Sequence, residues 1–344
     1  MDRLVMRARC QSRRRFVRGA LAFAGASLLS ACAAPLSALP QKRPARIGML
    51  SASTSPSDAL QLDALRGGLR DLGYIEGRDI VLEPRFTEGR LDRYAESATE
   101  LVQLSVAVIV AYDPNAILAA RQASYTTPIV MAGGSEVPVE RGLIASLARP
   151  GGTVTGVTYG TPTLSAKRLQ FLKDSVPKLE RVAFINDPAV SPIESNPKVG
   201  VFRTAAEALG LHLDVVDLPT PEELEGLFAD LNRTQVGALF VDGSSTAFNN
   251  RLRLSELAIR YRLPSIWQGS QYKDAALLVY GANYADVWLR AAIHVDKLLK
   301  GAKPGDLPVE QPTTFDFIIN LKIAQSLGLT IPQSVLAQAT DIIQ

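Results

Sequence analysis

The first α/β unit of the chain opens with Arg46-Ile47-Gly48-Met49-Leu50-Ser51, whose apolar centre is typical of a buried strand. The segment 58–72 follows, and its apolar residues recur at the spacing of one helix face: Leu62, Leu65, Leu69 and Leu72. Gly73 then marks a helix stop. A buried strand followed by an amphipathic helix predicts the first step of a parallel α/β sheet.

The same alternation continues through the first half of the chain. We predict strands over residues 80–86, 106–110, 128–131 and 153–158, with helices over 94–104 and from Asp113-Pro114 onward. Asp113 suits an N-cap position, and proline is favoured in the first helical turn. Strands separated by helices of this length indicate a parallel sheet with helices on both faces.

A second α/β unit follows the Thr/Gly/Pro-rich link at residues 158–162. Here the pattern predicts strands over 182–186, 211–218, 236–241, 265–267 and 277–279, with helices over 164–176, 198–209, 221–231 and 253–261. The tail adds a helix over 284–299, a strand over 314–319, a helix over 321–327 and a helical piece after Pro332. Two such units in tandem indicate a cleft between them, where binding pockets tend to form.

The charge of the chain is distributed unevenly. Its 344 residues carry 37 Lys+Arg and 34 Asp+Glu, but residues 1–31 alone have a net charge of +6, which leaves −3 for the remainder. A mildly acidic body argues against a nucleic-acid surface. Two cysteines and two histidines, His212 and His294, provide neither a disulfide framework nor a multi-histidine metal site, and we expect both histidines to be surface or packing residues.

The N-terminal segment resembles an export signal. Ser12-Arg13-Arg14-Arg15-Phe16-Val17-Arg18 has the form of a twin-arginine motif, and the apolar run that follows is too short for a membrane-spanning helix. Leu29-Ser30-Ala31-Cys32 resembles a bacterial lipoprotein cleavage box, which predicts lipid on Cys32; the alternative is a plain secretory leader. Residues 32–44 would then be a tether between the membrane and the folded body.

Candidate ligand contacts lie beyond the carboxyl ends of the predicted strands, where open α/β sheets bind ligands. In the first unit these residues are Ser51, Ser53, Thr54, Tyr112, Asp113, Asn115, Gly133, Gly134 and Ser135; in the second they are Asn186, Asp187, Asp242, Ser244, Trp267 and Gln268.

Each candidate has a chemical role and a structural alternative. The hydroxyl groups of Ser51, Ser53 and Thr54 offer a site for an anion. Asp242 can accept hydrogen bonds from an ammonium group, and Tyr112 and Trp267 can stack on a flat ligand. The serines and Asp113 can instead be helix caps, and the aromatic residues can be core residues.

Several separate motifs resemble one family, the ABC transporter substrate-binding proteins grouped with tryptophan- and tyrosine-type binding proteins. The motifs are Gly73-Tyr74-Ile75-Glu76-Gly77-Arg78-Asp79-Ile80, Arg149-Pro150-Gly151-Gly152-Thr153-Val154-Thr155-Gly156 and the tail around Lys300-Gly301-Ala302-Lys303-Pro304-Gly305 and Leu327-Gly328-Leu329-Thr330-Ile331-Pro332. The turn residues in them have structural roles and identify the family without being its ligand contacts.

The resemblance implies a type I periplasmic binding protein fold, with two Rossmann-like lobes joined by a multi-strand hinge. Residues 45–158 and 282–312 would form lobe 1, and residues 159–281 and 313–344 lobe 2.

Two positions depart from the family pattern: Asp113 stands where a small neutral residue is commoner, and Asp187 where Asn is commoner. With Asp242 they predict three carboxylates around one cleft, which implies an amine-bearing ligand or a compensating Lys or Arg.

The expected function is capture of a small solute, an amino acid or an amine-bearing or aromatic compound, for delivery to an ABC permease and its ATPase. We expect an extracytoplasmic, monomeric protein with no cofactor and no nucleic-acid partner. Two alternatives stay open: a sensor component, and an extracytoplasmic α/β enzyme. The sequence contains no Gly-x-Ser-x-Gly elbow, no Cys/His pair and no Gly-x-Gly-x-x-Gly after the first strand, which argues against the enzyme.

Overall fold

A computed structural model describes residues 43–52, 55–88, 90–134, 137–160 and 162–344 of the chain. The predicted signal peptide and nearly all of the predicted tether lie outside these ranges, as do Cys32, Ser53, Thr54 and Ser135. Among the described residues, no helix combines the length and the apolar character needed to cross a bilayer.

Five parallel strands form the first sheet, in the order β2-β1-β3-β4-β5. The strands are β1 (Ala45–Ser51), β2 (Ile80–Phe86), β3 (Val108–Ala111), β4 (Ile129–Ala132) and β5 (Val154–Val157), and the helices that alternate with them are α1 (Ser55–Asp71), α2 (Arg93–Gln103) and α3 (Pro114–Ala123). Every residue of β3 and β4 is buried, as expected for strands covered on both faces. We call this sheet and the helices packed on it lobe 1.

Seven strands form the second sheet, in the order β12-β11-β10-β9-β8-β6-β7. Its strands are β6 (Arg181–Asn186), β7 (His212–Asp217), β8 (Ala238–Val241), β9 (Ser265–Trp267), β10 (Leu278–Ala282), β11 (Phe315–Asn320) and β12 (Asp341–Ile343). The pairing of β10 with β11 is antiparallel, and the other pairings are parallel. We call this sheet and its helices lobe 2.

The remaining helices in chain order are α4 (Pro162–Ser175), α5 (Pro197–Ala208), α6 (Leu224–Arg233), α7 (Ser245–Asn249), α8 (Arg251–Arg260), α9 (Tyr284–Leu299), α10 (Leu321–Leu327) and α11 (Gln333–Leu336). Of these, α9 packs on lobe 1, against α1 and strands β3 to β5. A Cβ added at Gly68 of α1 would lie 2.8 Å from the Cβ of Ala292, so the glycine permits this close helix packing.

Three chain segments connect the two lobes: one follows β5, one joins β10 to α9, and one leads into β11. Neighbouring segments are hydrogen-bonded to each other. The Thr158 amide donates to the Glu310 carbonyl at 2.8 Å, and the Asn283 amide donates to the Thr314 carbonyl at 2.9 Å. Residues Pro44–Gln344 form one compact unit.

Most predicted elements are present, with ends that differ by a few residues. The exceptions are in lobe 2. The helix predicted from residue 221 begins at Leu224, a short helix α7 precedes α8, and the strand β12 was not predicted. β12 has only three residues, too few for a periodic pattern, and its position depends on pairing with β11. His212 is exposed and His294 is 1% exposed within α9, in line with surface and packing roles.

Candidate functional site

A cavity lies between the carboxyl ends of the strands of lobe 1 and those of lobe 2, and residues of both lobes line it. It encloses about 740 Å³ of space, solvent at its mouth included. The position agrees with the general rule that ligands of open α/β sheets bind beyond the strand ends.

Eight of the predicted site residues line this cavity. From lobe 1 they are Tyr112, Asp113, Asn115, Gly133 and Gly134; from lobe 2 they are Asp187, Ser244 and Gln268. The strand ends therefore bring together residues that are far apart in sequence, in the arrangement that a parallel sheet imposes.

Three other predicted residues belong to the protein interior, and we correct the expectation for each. Ser51 is fully buried inside β1, and its carbonyl accepts from the Thr87 amide. The Asn186 amide group donates to the Ser191 carbonyl and to Asp217, so it braces the end of β6. Trp267 is 1% exposed, donates to Ser265 and packs on Tyr272, which places its ring in the core of lobe 2 rather than on a ligand.

Tyrosines form part of the cavity wall, together with apolar side chains such as Leu91 and Val190. Tyr112 follows β3; its ring stacks on Trp288 of α9 and meets the Tyr159 ring edge to face, with centroids 6.3 Å and 6.4 Å apart. Gly133 has a positive φ of 88°, and a Cβ there would lie 2.7 Å from the Tyr159 ring. The glycine therefore lets this ring approach the end of β4. Tyr94 lines the same cavity.

Asp113 caps helix α3, so the structural alternative for this residue is confirmed. Its Oδ1 accepts from the amides of Asn115 and Ala116 at 2.9 Å, and the Tyr94 hydroxyl donates to its Oδ2 at 2.6 Å. Burial raises the pKa of the Asp113 carboxyl, while these hydrogen bonds act in the opposite direction. The carboxyl lines the cavity with its hydrogen-bonding capacity largely used.

Asp242 is paired with a lysine that sequence reasoning missed. The Lys198 Nζ lies 2.8 Å from Oδ2 and 3.0 Å from Oδ1 of Asp242, and both residues are buried. Asp242 follows β8, whereas Lys198 sits in the first turn of α5, where a cation is disfavoured by the helix dipole. The compensating cation foreseen for this carboxylate is therefore present, and Lys198 itself lines the cavity.

Asp187 has a carboxylate oxygen that accepts no hydrogen bond from the described residues. The residue is 5% exposed; its Oδ1 accepts from the Ala189 amide at 2.9 Å, and its Oδ2 is buried with no hydrogen-bond partner among the described residues. Gln268, 6% exposed, has an Oε1 in the same condition. Buried acceptors without partners cost free energy unless a ligand or water satisfies them.

Arg141 is the second cation that sequence reasoning missed. It lies in the loop after β4 and lines the cavity from lobe 1, and its Nε and Nη2 atoms are buried without a hydrogen-bond partner among the described residues. Burial lowers the pKa of the Arg141 guanidinium, and the charge of Asp242 opposes this. Arg141 reaches the cavity from a loop through tertiary structure, and no periodic or strand-end pattern in the sequence indicates this.

A side-chain hydrogen bond joins the two lobes at the cavity. The Asn115 amide group, from α3 of lobe 1, donates to the Ala189 carbonyl in the turn after β6 at 2.9 Å. The Tyr159 hydroxyl lies within hydrogen-bond distance of the Gln271 amide group. Both lobes therefore contact each other at the cavity. Within the described residues, no group of three His, Cys, Asp or Glu side chains is placed to hold a metal ion.

Comparison with known proteins identifies the family. The family model of the ABC transporter substrate binding protein matches residues 47–343. The chain belongs to this family. The ABC transporter substrate-binding proteins are solute-binding transport proteins, and the fold of this chain is that of the type I periplasmic binding proteins.

Individual relatives agree with this assignment. A tyrosine-binding protein from Clostridioides difficile is 25% identical over 296 residues, which cover 84% of this chain and 82% of the relative. The crystal structure of an ABC domain with L-Trp from Streptococcus pneumonia has a TM-score of 0.79 at 26% identity, over 87% of this chain and all of that one. A ligand-free, open substrate-binding protein from Clostridium difficile has the same fold, with a TM-score of 0.65 at 21% identity over 87% of this chain and 99% of that one.

Proposed function

We propose that this substrate-binding protein captures an aromatic amino acid in the cavity between its lobes and delivers it to an ABC permease driven by an ATPase. One observation carries the ligand class: the cavity combines a wall of tyrosine rings, Tyr94, Tyr112 and Tyr159, with charged side chains of both signs. Aromatic rings favour a flat apolar group, and paired charges favour a zwitterion. The binding of tyrosine and tryptophan by two relatives supports the same class.

Binding acts through the relative position of the lobes. A ligand that contacts both lobes stabilises the closed arrangement by its differential affinity for that state, and the closed form is the one that docks on the permease. Micromolar affinity corresponds to about −8 kcal/mol, which a stacked ring and several charge-assisted hydrogen bonds can provide. No bond is made or broken in this function.

A thermal-shift screen tests the ligand class. The full-length chain, purified in detergent, is screened against aromatic and aliphatic amino acids, amines, nucleobases and sugars, and hits are titrated by calorimetry. We expect stabilisation by aromatic amino acids alone, with one site per chain. Tyr112→Leu should weaken binding about 2- to 10-fold, because an aromatic pair adds roughly 0.5–1.5 kcal/mol to area burial. Tyr125→Leu is the matched control, since Tyr125 is 85% exposed and does not line the cavity. A hit list of sugars or nucleobases only would contradict the proposal.

We further propose that the protein is exported as a monomeric lipoprotein, anchored outside the cytoplasm by lipid on Cys32. The twin-arginine motif and the cleavage box at residues 29–32 support this. Labelling of cells with a fatty-acid analogue should mark the wild type and Cys10→Ser, because Cys10 lies within the cleaved leader. Cys32→Ser should abolish the label; an equally labelled Cys32→Ser protein would show that lipid is attached elsewhere.

A further inference from the structure

The guanidinium of the half-buried Arg141 lacks a full set of hydrogen-bond partners among the described residues. Its Nε and Nη2 have no acceptor among the described residues. The carboxylate whose charge acts on it, Asp242, already accepts two hydrogen bonds from Lys198 and one from the Gly243 amide. A planar guanidinium presents N–H groups in a fork that matches a carboxylate. An acceptor supplied from outside the chain would satisfy it.

A chemically complementary group lines the same cavity. Asp187 belongs to lobe 2, lines the same cavity and has a buried Oδ2 without a partner. Gln268 adds a second unpartnered acceptor, Oε1, from the same lobe. The Lys198 ammonium lies 2.8 Å from Oδ2 of Asp242 and forms an ion pair with that carboxylate. A donor with positive charge, supplied by a ligand, would satisfy both acceptors.

We propose, resting on the function proposed above, that Arg141 binds the carboxylate of the amino-acid ligand and that Asp187 binds its ammonium group. The two groups belong to different lobes, so the ligand's own zwitterion bridges them. The turn that carries Asp187 is also the turn whose Ala189 carbonyl accepts from Asn115 of lobe 1. Recognition of the ammonium group and contact between the lobes thus share one turn of backbone.

A ligand-deletion cycle tests the two assignments separately. Calorimetry on the full-length chain in detergent compares wild type, Arg141→Gln and Asp187→Asn with three ligands: L-tyrosine, its decarboxylated amine tyramine, and the deaminated acid 3-(4-hydroxyphenyl)propanoate. For L-tyrosine we expect each substitution to weaken binding about 30-fold or more, the cost of truncating one partner of a buried charge pair.

The analogues then show which end of the ligand each residue contacts. Arg141→Gln should bind tyramine as wild type does, because that ligand has no carboxylate, and Asp187→Asn should bind the deaminated acid as wild type does. Retained analogue binding also shows that each variant is folded. Should Arg141→Gln fail to fold, Arg141→Lys keeps the charge but loses the fork, and we expect it to bind L-tyrosine about 10-fold more weakly than wild type.

Two exposed residues provide matched controls, Arg149→Gln and Asp306→Asn, which should leave all three affinities unchanged. Wild-type affinity of Arg141→Gln for L-tyrosine, or an equal loss with tyramine, would overturn the assignment of Arg141; the corresponding results with Asp187→Asn and the deaminated acid would overturn that of Asp187. If wild type binds none of the three ligands and neither L-tryptophan nor L-phenylalanine, the proposed aromatic amino-acid function itself fails, and the assignments fail with it.

Discussion

Strands β6 and β8 in lobe 2 are each followed by a buried aspartate, and the two carboxylates differ in their hydrogen-bond and ion-pair partners. Asp242, after β8, is held by Lys198 and by the Gly243 amide, so its charge is compensated inside the protein. Asp187, after β6, uses one oxygen to accept from Ala189 and has a second, buried oxygen without a partner among the described residues. A carboxylate at a strand end is thus either part of the scaffold or available to a ligand, and its partners distinguish the two.

The largest expected effect is loss of the compensated carboxylate. Asp242→Asn removes the carboxylate charge that is paired with the buried Lys198 ammonium, which should lower the free energy of unfolding by about 3–5 kcal/mol. Urea denaturation followed by circular dichroism measures it. The double substitution Asp242→Leu with Lys198→Met should recover most of this loss. Asp274→Asn, which breaks the exposed pair with Arg251, should cost less than about 1 kcal/mol. If Asp242→Asn lowered the free energy of unfolding by less than about 1 kcal/mol, Asp242 would not be a structural carboxylate and would resemble Asp187.

Arg141, like Asp187, has buried side-chain atoms without partners among the described residues, so its removal should stabilise the unliganded protein. Arg141→Met keeps the approximate shape of the side chain and removes buried donors that lack partners, each of which costs about 1–3 kcal/mol. We expect the free energy of unfolding without ligand to rise by about 1 kcal/mol. Arg149→Met, at an exposed position, should leave it unchanged. Destabilisation by Arg141→Met in the absence of ligand would mean that Arg141 is a structural counterion for Asp242.

Asn115 tests the link between the β6 end and lobe 1. Asn115→Ala removes the hydrogen bond to the Ala189 carbonyl but leaves the charged groups in place. A typical hydrogen bond contributes about 0.5–1.5 kcal/mol, so ligand affinity should fall roughly 2- to 10-fold through a less stable closed state. Calorimetry measures the affinity, and Asn232→Ala, on the exposed side of α6, is the control. An unchanged affinity would separate lobe contact from ligand binding.

Asp187 should give the smallest change in stability. In Asp187→Asn the side-chain oxygen can still accept from the Ala189 amide, and the oxygen that is replaced has no partner to lose. The free energy of unfolding without ligand should therefore change by less than about 0.5 kcal/mol. The same urea denaturation that reports on Asp242→Asn provides the direct contrast. A loss as large as that for Asp242→Asn would show that Asp187 also belongs to the scaffold.

Sequence patterns predicted the α/β architecture because it depends on local features. The strand at 80–86 and the helix at 284–299 coincide with β2 and α9, since buried runs and helical periodicity are local signals. Trp267 shows where such signals end. Trp267 ends β9, a strand that is buried on both faces. The sequence of such a strand does not indicate which side chains face a ligand, so the Trp267 ring could not be assigned to the core in advance.

The charges of the site were only partly predictable for the same reason. Position alone favoured Asp242, but its partner Lys198 lies 44 residues away, and only the folded chain shows that the pair forms. Arg141 reaches the cavity from a loop, which no periodic pattern describes. The sequence therefore predicted eight of the residues that line the cavity, and tertiary contacts were needed to show which charged side chains already have partners within the protein.

A crystal structure of the protein with L-tyrosine bound tests the central claim most directly. We expect one ligand molecule between the lobes, with its ring against Tyr112, its carboxylate at Arg141 and its ammonium group at Asp187. A ligand bound on the outer surface of either lobe, or one in the cavity with its carboxylate directed away from Arg141, would contradict the account.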